Sequence, residues 1–123
     1  MRKLTSHKVN DLNEALTIEI LDEPGHGNAC YIYRIAHGAQ EDDVGVDQEV
    51  SFQNGPVKEV GINGISNEAL LAIVEDRLTC FQSGEYSCRE NAVALTKIQE
   101  AMMWLAKRTR DRVARGVEGT HQK

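Results

Sequence analysis

At 123 residues and 41% apolar content, the chain is long enough for one folded domain with a core, or one and a half, and too short for two. A formal net charge of −5 excludes general nucleic-acid binding, which needs a dominant basic surface. No run of about 18 apolar residues occurs. Nor is there a charged-then-apolar leader, so neither a membrane span nor secretion is expected. Cys30, Cys80 and Cys88 form an odd set with no C-x-x-C pair and no histidine at ligand spacing. That set fits a reducing cytoplasm rather than a zinc site or a disulfide framework.

Taken in order, residues 1–15 are polar and weakly periodic and predict no element. From Leu16 the pattern has period two, with Leu16, Ile18 and Ile20 on one face and Thr17 and Glu19 on the other, which predicts a half-buried strand. Residues 22–28 hold Pro24, Gly25, Gly27 and Asn28 and read as a loop. A second strand follows, with Ala29, Tyr31, Tyr33 and Ile35 on one face. His37 to Asp47 is acidic and Gly-containing and reads as a mobile connection. Asn54-Gly55 between Glu49–Gln53 and Pro56–Val60 predicts a tight hairpin, because both central residues must accept positive φ. Pro56 removes a backbone donor and implies an edge strand. About four antiparallel strands are therefore expected, with one wet face.

Gly61 to Ile65 is a joint, and Ser66 can cap a helix whose apolar positions are Leu70, Leu71, Val74, Leu78 and Phe81. That helix stops near Ser83-Gly84. A long helix is then expected from Ser87 to Gly116. Ser87 and Glu90 form a capping box, and Gly116 suits the left-handed position after the last turn. Leu95, Ile98, Met102 and Leu105 keep helical 3–4 spacing. The short turn forces the two helices antiparallel. The predicted fold class is α+β: a small N-terminal antiparallel β-sheet (1–62) followed by a C-terminal antiparallel two-helix hairpin with one long helix and a tail (63–123). The two regions are expected to form one folding unit. The long helix outruns its partner by roughly three turns at about 3.6 residues each, so an oligomer is expected to cover the overhang.

Charge is unevenly placed. Residues 1–65 hold 5 Lys/Arg against 11 Asp/Glu, and residues 66–123 hold 9 against 8. Within 107–115 stand Lys107, Arg108, Arg110, Arg112 and Arg115 against Asp111. Cations gathered this way can hold a small anion, although cations at a helix C-terminus also offset the macrodipole. Catalysis has little support. His7, His26, His37 and His121 fall in loops or tails, and no Ser/His/Asp or Cys/His arrangement stands out. Gly25-His26-Gly27 lacks the context of a phosphate loop, and Asp42, Asp43 and Asp47 read as a solvated acidic stretch rather than a metal site. No enzyme, metal or cofactor is expected.

The strongest constellation is Phe81, Asn91, Arg108 and Arg112. An aromatic face and a carboxamide suit a purine, and arginine forks match phosphate oxygens. Taken singly, each residue has a plainer reading: a hairpin plug, a first-turn polar residue, a solvated helix end. Asn91 and Arg108 lie about 25 Å apart along one helix. If both touch one ligand, they come from different chains.

Asn63-Gly64-Ile65-Ser66-Asn67-Glu68-Ala69-Leu70-Leu71, Cys88-Arg89-Glu90-Asn91, Thr109-Arg110-Asp111-Arg112 and Arg115-Gly116-Val117-Glu118-Gly119-Thr120-His121 resemble the helical hairpin of phage signal-sponge proteins. One branch, the anti-CBASS sponges, is mostly hairpin and binds cyclic oligonucleotides. The other, the Thoeris anti-defence sponges, adds an N-terminal β-region and binds glycocyclic ADP-ribose. With strand pattern before the hairpin, this chain resembles the second branch. The resemblance covers roughly residues 62–121 by motif and residues 1–60 only in architecture. It implies ligand contacts at Phe81, Asn91, Arg108 and Arg112, with Arg115, Thr120 and His121 as further candidates. It also implies sequestration without cleavage, ligand sites between chains of a homodimer that can assemble into hexamers, and action in the cytoplasm of the infected host. Capture of CBASS cyclic di- or trinucleotides, or a protein-interaction module with no nucleotide ligand, are the alternative readings.

Overall fold

The computed structural model describes residues 2–38 and 45–123. The chain divides into two compact units, Met1–Gly55 with Ile62–Ile65, and Pro56–Gly61 with Ser66–Lys123. The first is an antiparallel sheet of four strands in the order β1 (Arg2–Leu4), β2 (Thr17–Ile20), β3 (Ile32–His37) and β4 (Val46–Ser51). A short helix, α1 (Asp11–Ala15), precedes β2 and is capped by the Asn10 side chain. The register pairs Ile18 with Ile35, Ile20 with Tyr33, and Tyr33 with Val50, so the expected apolar faces of the two central strands meet. Among the described residues, Ile20 and Cys30 are the buried apolar side chains of this unit, at 2% and 8% exposure. On the other face Arg34 binds Asp47 at 2.8 Å and lies 3.6 Å from Glu19. Asp22 closes the loop before β3 by accepting from the Tyr31 and Ile32 N–H groups.

Two expectations are corrected. The fourth strand is β1, from the segment in which no element is predicted, and residues 57–60 form a helical turn, α2 (Val57–Val60), rather than a strand. Asn54-Gly55 is therefore not a hairpin turn. The Asn63 carboxamide occupies both backbone groups of Asn54, accepting from its N–H and donating to its carbonyl at 2.7 Å each. Pro56 then opens α2, which ends at Gly61 with φ 78°. Instead of pairing with a strand at 56–60, Phe52 bridges in parallel to Ile65. A Cβ on Gly64 would stand 2.3 Å from the Phe52 carbonyl carbon, so only glycine permits this approach. The part of the acidic connection at 39–44 lies outside the described residues, as do Asp42 and Asp43.

The second unit is built on α3 (Asn67–Gln82) and α4 (Arg89–Ala114), 16 and 26 residues long, joined by a short turn as a hairpin. Ser66 caps α3 by accepting from the Ala69 N–H at 3.1 Å. The cap of α4 is Cys88, one residue after the one expected: its Sγ accepts from the Asn91 N–H at 3.4 Å. The Gln82 side chain fixes the entry by accepting from the Cys88 N–H. At the far end Gly116 takes φ 73°, with Gly116 N–H bonded to the Val113 carbonyl and Val117 N–H to the Arg112 carbonyl. That bond pair is a Schellman closure.

Candidate functional site

The half-buried stripe of α4 runs Leu95, Ile98, Met102, Leu105 and Thr109. The next step in its 3–4 spacing is Arg112. Arg112 thus faces inward beyond the end of the shorter helix, where the tail covers it. It is 6% exposed. Its Nε donates to Glu118 at 3.2 Å, one terminal nitrogen to the Gln122 carbonyl, and the other to the Val117 and Thr120 carbonyls at 2.9 and 3.1 Å. Four of the five donors of a guanidinium are thereby used. The tail is fixed again from α2, because Lys58 N–H donates to the Gly119 carbonyl and His121 pairs with Glu59 at 2.8 Å. The Thr120 hydroxyl donates to the Val117 carbonyl.

Around this buried arginine lies an open concavity of about 920 Å³. Lys107, Arg108, Arg112, Arg115 and Lys123 supply its cations, Trp104 an apolar wall, and Asp111 its carboxylate. The structure therefore brings Arg108, Arg112 and Arg115 together. Lys107 and Asp111 pair at 2.8 Å. The hydrogen bond from Lys107, then the charges of Lys107, Arg110 and Arg115, hold the Asp111 carboxyl below the usual aspartate value. Lys107 is paired with Asp111 and Arg112 with Glu118, and Arg108, Arg115 and Lys123 add three further cations, a set whose chemistry suits an anion.

Phe81 sits elsewhere. It lines a concavity of about 450 Å³ at the hairpin turn with Asp76, Arg77, Cys80, Gly84 and Tyr86. Asn91 is half-buried in the first turn of α4 and lines neither concavity. Thr120 and His121 are in the fixed tail. One chain thus separates the aromatic end from the cationic end along α4, a helix of about 39 Å. Sequence reasoning missed Glu118, Lys123, Trp104 and Tyr86 as neighbours of these sites. The burial of Arg112 was readable from its seven-residue spacing after Leu105.

The second unit is a helical hairpin with an aromatic concavity at its turn and a cationic one at the far end of its longer helix. The Acb2/Tad1 hairpin domain is matched over residues 45–110, more than half of the chain, and the chain belongs to that family. It is 61% identical over 74 residues to the Thoeris anti-defense 1 protein of Bacillus phage SBSphiJ7. That match covers 60% of this chain and 52% of the relative, so the chain spans about half the length of the curated relative it matches.

Proposed function

We infer that this chain is an anti-defence protein that sequesters a cyclic ADP-ribose-type immune signal, glycocyclic ADP-ribose, without cleaving it, and so blocks Thoeris immunity in the host cytoplasm. The observation that carries the reading is the five-cation concavity on an otherwise acidic chain. The name of the relative from Bacillus phage SBSphiJ7 supports the same biological setting. In this reading the diphosphate contacts Arg108 and Arg115, and the adenine stacks near Phe81 with Asn91 as hydrogen-bonding partner. Arg112 serves the same pocket by holding the tail that carries Thr120 and His121. The two ends lie too far apart for one ligand within a chain, so a homodimer with antiparallel α4 helices completes each site.

Sequestration requires tight binding and no turnover. Mixing protein with glycocyclic ADP-ribose, removing free ligand, heating and analysing the release should return intact messenger; a linear product would overturn the reading. Arg108→Ala should weaken binding by about 1.5–3 kcal/mol, the worth of a charge-assisted hydrogen bond, and calorimetry would show it. Because the family is shared by the Acb2 type, cyclic di- and trinucleotides form the second reading. Parallel titration with both ligand classes separates them. If no cyclic nucleotide raises the melting temperature, the chain is a protein-interaction module instead, since tight ligands stabilise the folded state.

A further inference from the structure

The first unit holds both Asn-Gly pairs of the chain, Asn54-Gly55 and Asn63-Gly64. Both asparagines are exposed, so access of water does not separate them. Their hydrogen bonding does. The Asn63 carboxamide is committed at both ends, Oδ1 accepting from the Asn54 N–H and Nδ2 donating to the Asn54 carbonyl, each at 2.7 Å. The Asn63 N–H donates to the Gln53 side chain at 2.8 Å. Gly64 is pressed against Phe52, where an added Cβ would stand 2.3 Å from the carbonyl carbon. Asn54 is held by its backbone groups alone, and its side chain has no hydrogen-bond partner among the described residues. The Gly55 N–H has none among them either. With no Cβ and φ 94°, Gly55 leaves its nitrogen open to approach.

We propose that Asn54-Gly55 is a self-modification site at which the chain converts Asn54 to isoaspartate, while the clamp on Asn63 protects Asn63-Gly64. The Gly55 nitrogen attacks Cγ of Asn54. An N–Cγ bond forms and the Cγ–Nδ2 bond breaks. The proton of the Gly55 nitrogen ends on the departing amide, which leaves as ammonia. The resulting succinimide is opened by water. Opening at Cγ gives aspartate. Opening at the original carbonyl carbon gives isoaspartate, in which the chain runs through Cγ and the former backbone carbonyl becomes a free carboxylate. That carbonyl is the one held by Asn63 Nδ2. Either product adds a negative charge. Isoaspartate also lengthens the backbone by a methylene, just before Gly55–Pro56, where the chain passes from the first compact unit to the second.

The full chain, held folded at mildly alkaline pH and followed by peptide mapping, tests this. Asn54 should convert with time, faster as pH rises, and the aged chain should accept methyl groups from protein isoaspartyl methyltransferase. Asn63 should trail Asn54 by about tenfold or more, because it must first release two hydrogen bonds. In guanidinium chloride, where the clamp is gone, the two sites should convert at similar rates. Asn54→Gln keeps the backbone groups that Asn63 holds, and its longer side chain disfavours ring closure, so methyl acceptance should disappear. Asn54 staying intact in the folded chain while it converts in denaturant would overturn the site, as would methyl acceptance that survives Asn54→Gln. Asn63 converting as fast as Asn54 in the folded chain, or the difference between them persisting in denaturant, would overturn the protecting role of the clamp.

Discussion

Arg112 shows how one side chain can belong to a binding region and yet spend its hydrogen bonds on the protein. It projects from the core-facing stripe of α4, and a buried guanidinium without partners would be prohibitive. Residues 117–122 wrap over it so that three backbone carbonyls and Glu118 meet its donors. Arg112→Ala leaves those carbonyls and the Glu118 carboxylate without their donor. Loss of about 2–4 kcal/mol is expected, read as a shifted denaturation midpoint. Arg112→Lys should recover little of it, because a point charge with three donors cannot reproduce a planar fork. Proteolysis should then cut within the tail, which lacks its clamp. If both variants keep the original midpoint and resist cleavage, the arginine does not hold the tail.

At the scale of elements, α4 is stabilised from both ends by local chemistry, the Cys88 cap and the Gly116 closure, and along its side by the Lys107–Asp111 pair. The Asp111 carboxyl is held below 3.8 in the folded chain by Lys107 first and the neighbouring arginines after it. A depressed carboxylate favours the folded state at every pH above its unfolded value and ceases to do so as pH falls through its folded value. Asp111→Asn should therefore lower the melting temperature slightly at neutral pH, and the gap should close below 3.8. High salt should shrink it too, since the pair is solvent-exposed. The same locality explains what was legible in the sequence. Ser66, Gly116, the 3–4 stripe and the alternating strands 17–20 and 32–35 are decided by neighbours within a turn or two. β1 is a three-residue edge strand whose existence depends on β2, so its own residues carry no pattern. The Asn54-Gly55 hairpin failed because Asn63, nine positions away, took the backbone groups a hairpin would have used. The cation cluster of the site was legible as charge, whereas the Arg77–Phe81 pair emerged only in the structure. The placing of Tyr86 beside them was not legible either, because turns carry no periodicity.

At the scale of the whole molecule, the balance of buried and exposed apolar surface matters most. Among the described residues only Ile20 and Cys30 are buried apolar side chains, whereas Met103, Trp104 and Val113 on the overhang of α4 are 69%, 64% and 60% exposed. Met103 and Trp104 are neighbours on one side of that helix, and the proposed ligand reading places a second copy with its α4 antiparallel against them. Met103 and Trp104 lie midway between Asn91 and Val113 in sequence, so in that arrangement they pack near the two-fold axis and the charged ends project past it. A charge at Met103, which lines neither the cationic nor the aromatic concavity, would bring two like charges together in an apolar interface, at a cost of several kcal/mol. Met103→Glu should therefore convert the native-mass spectrum from dimer or larger to monomer. It should also abolish messenger binding, although Arg108, Arg115 and Phe81 are untouched. Restoring the wild-type mass with no return of binding would separate assembly from the pocket. A monomeric wild-type chain that binds the messenger at full affinity would show that a single hairpin suffices.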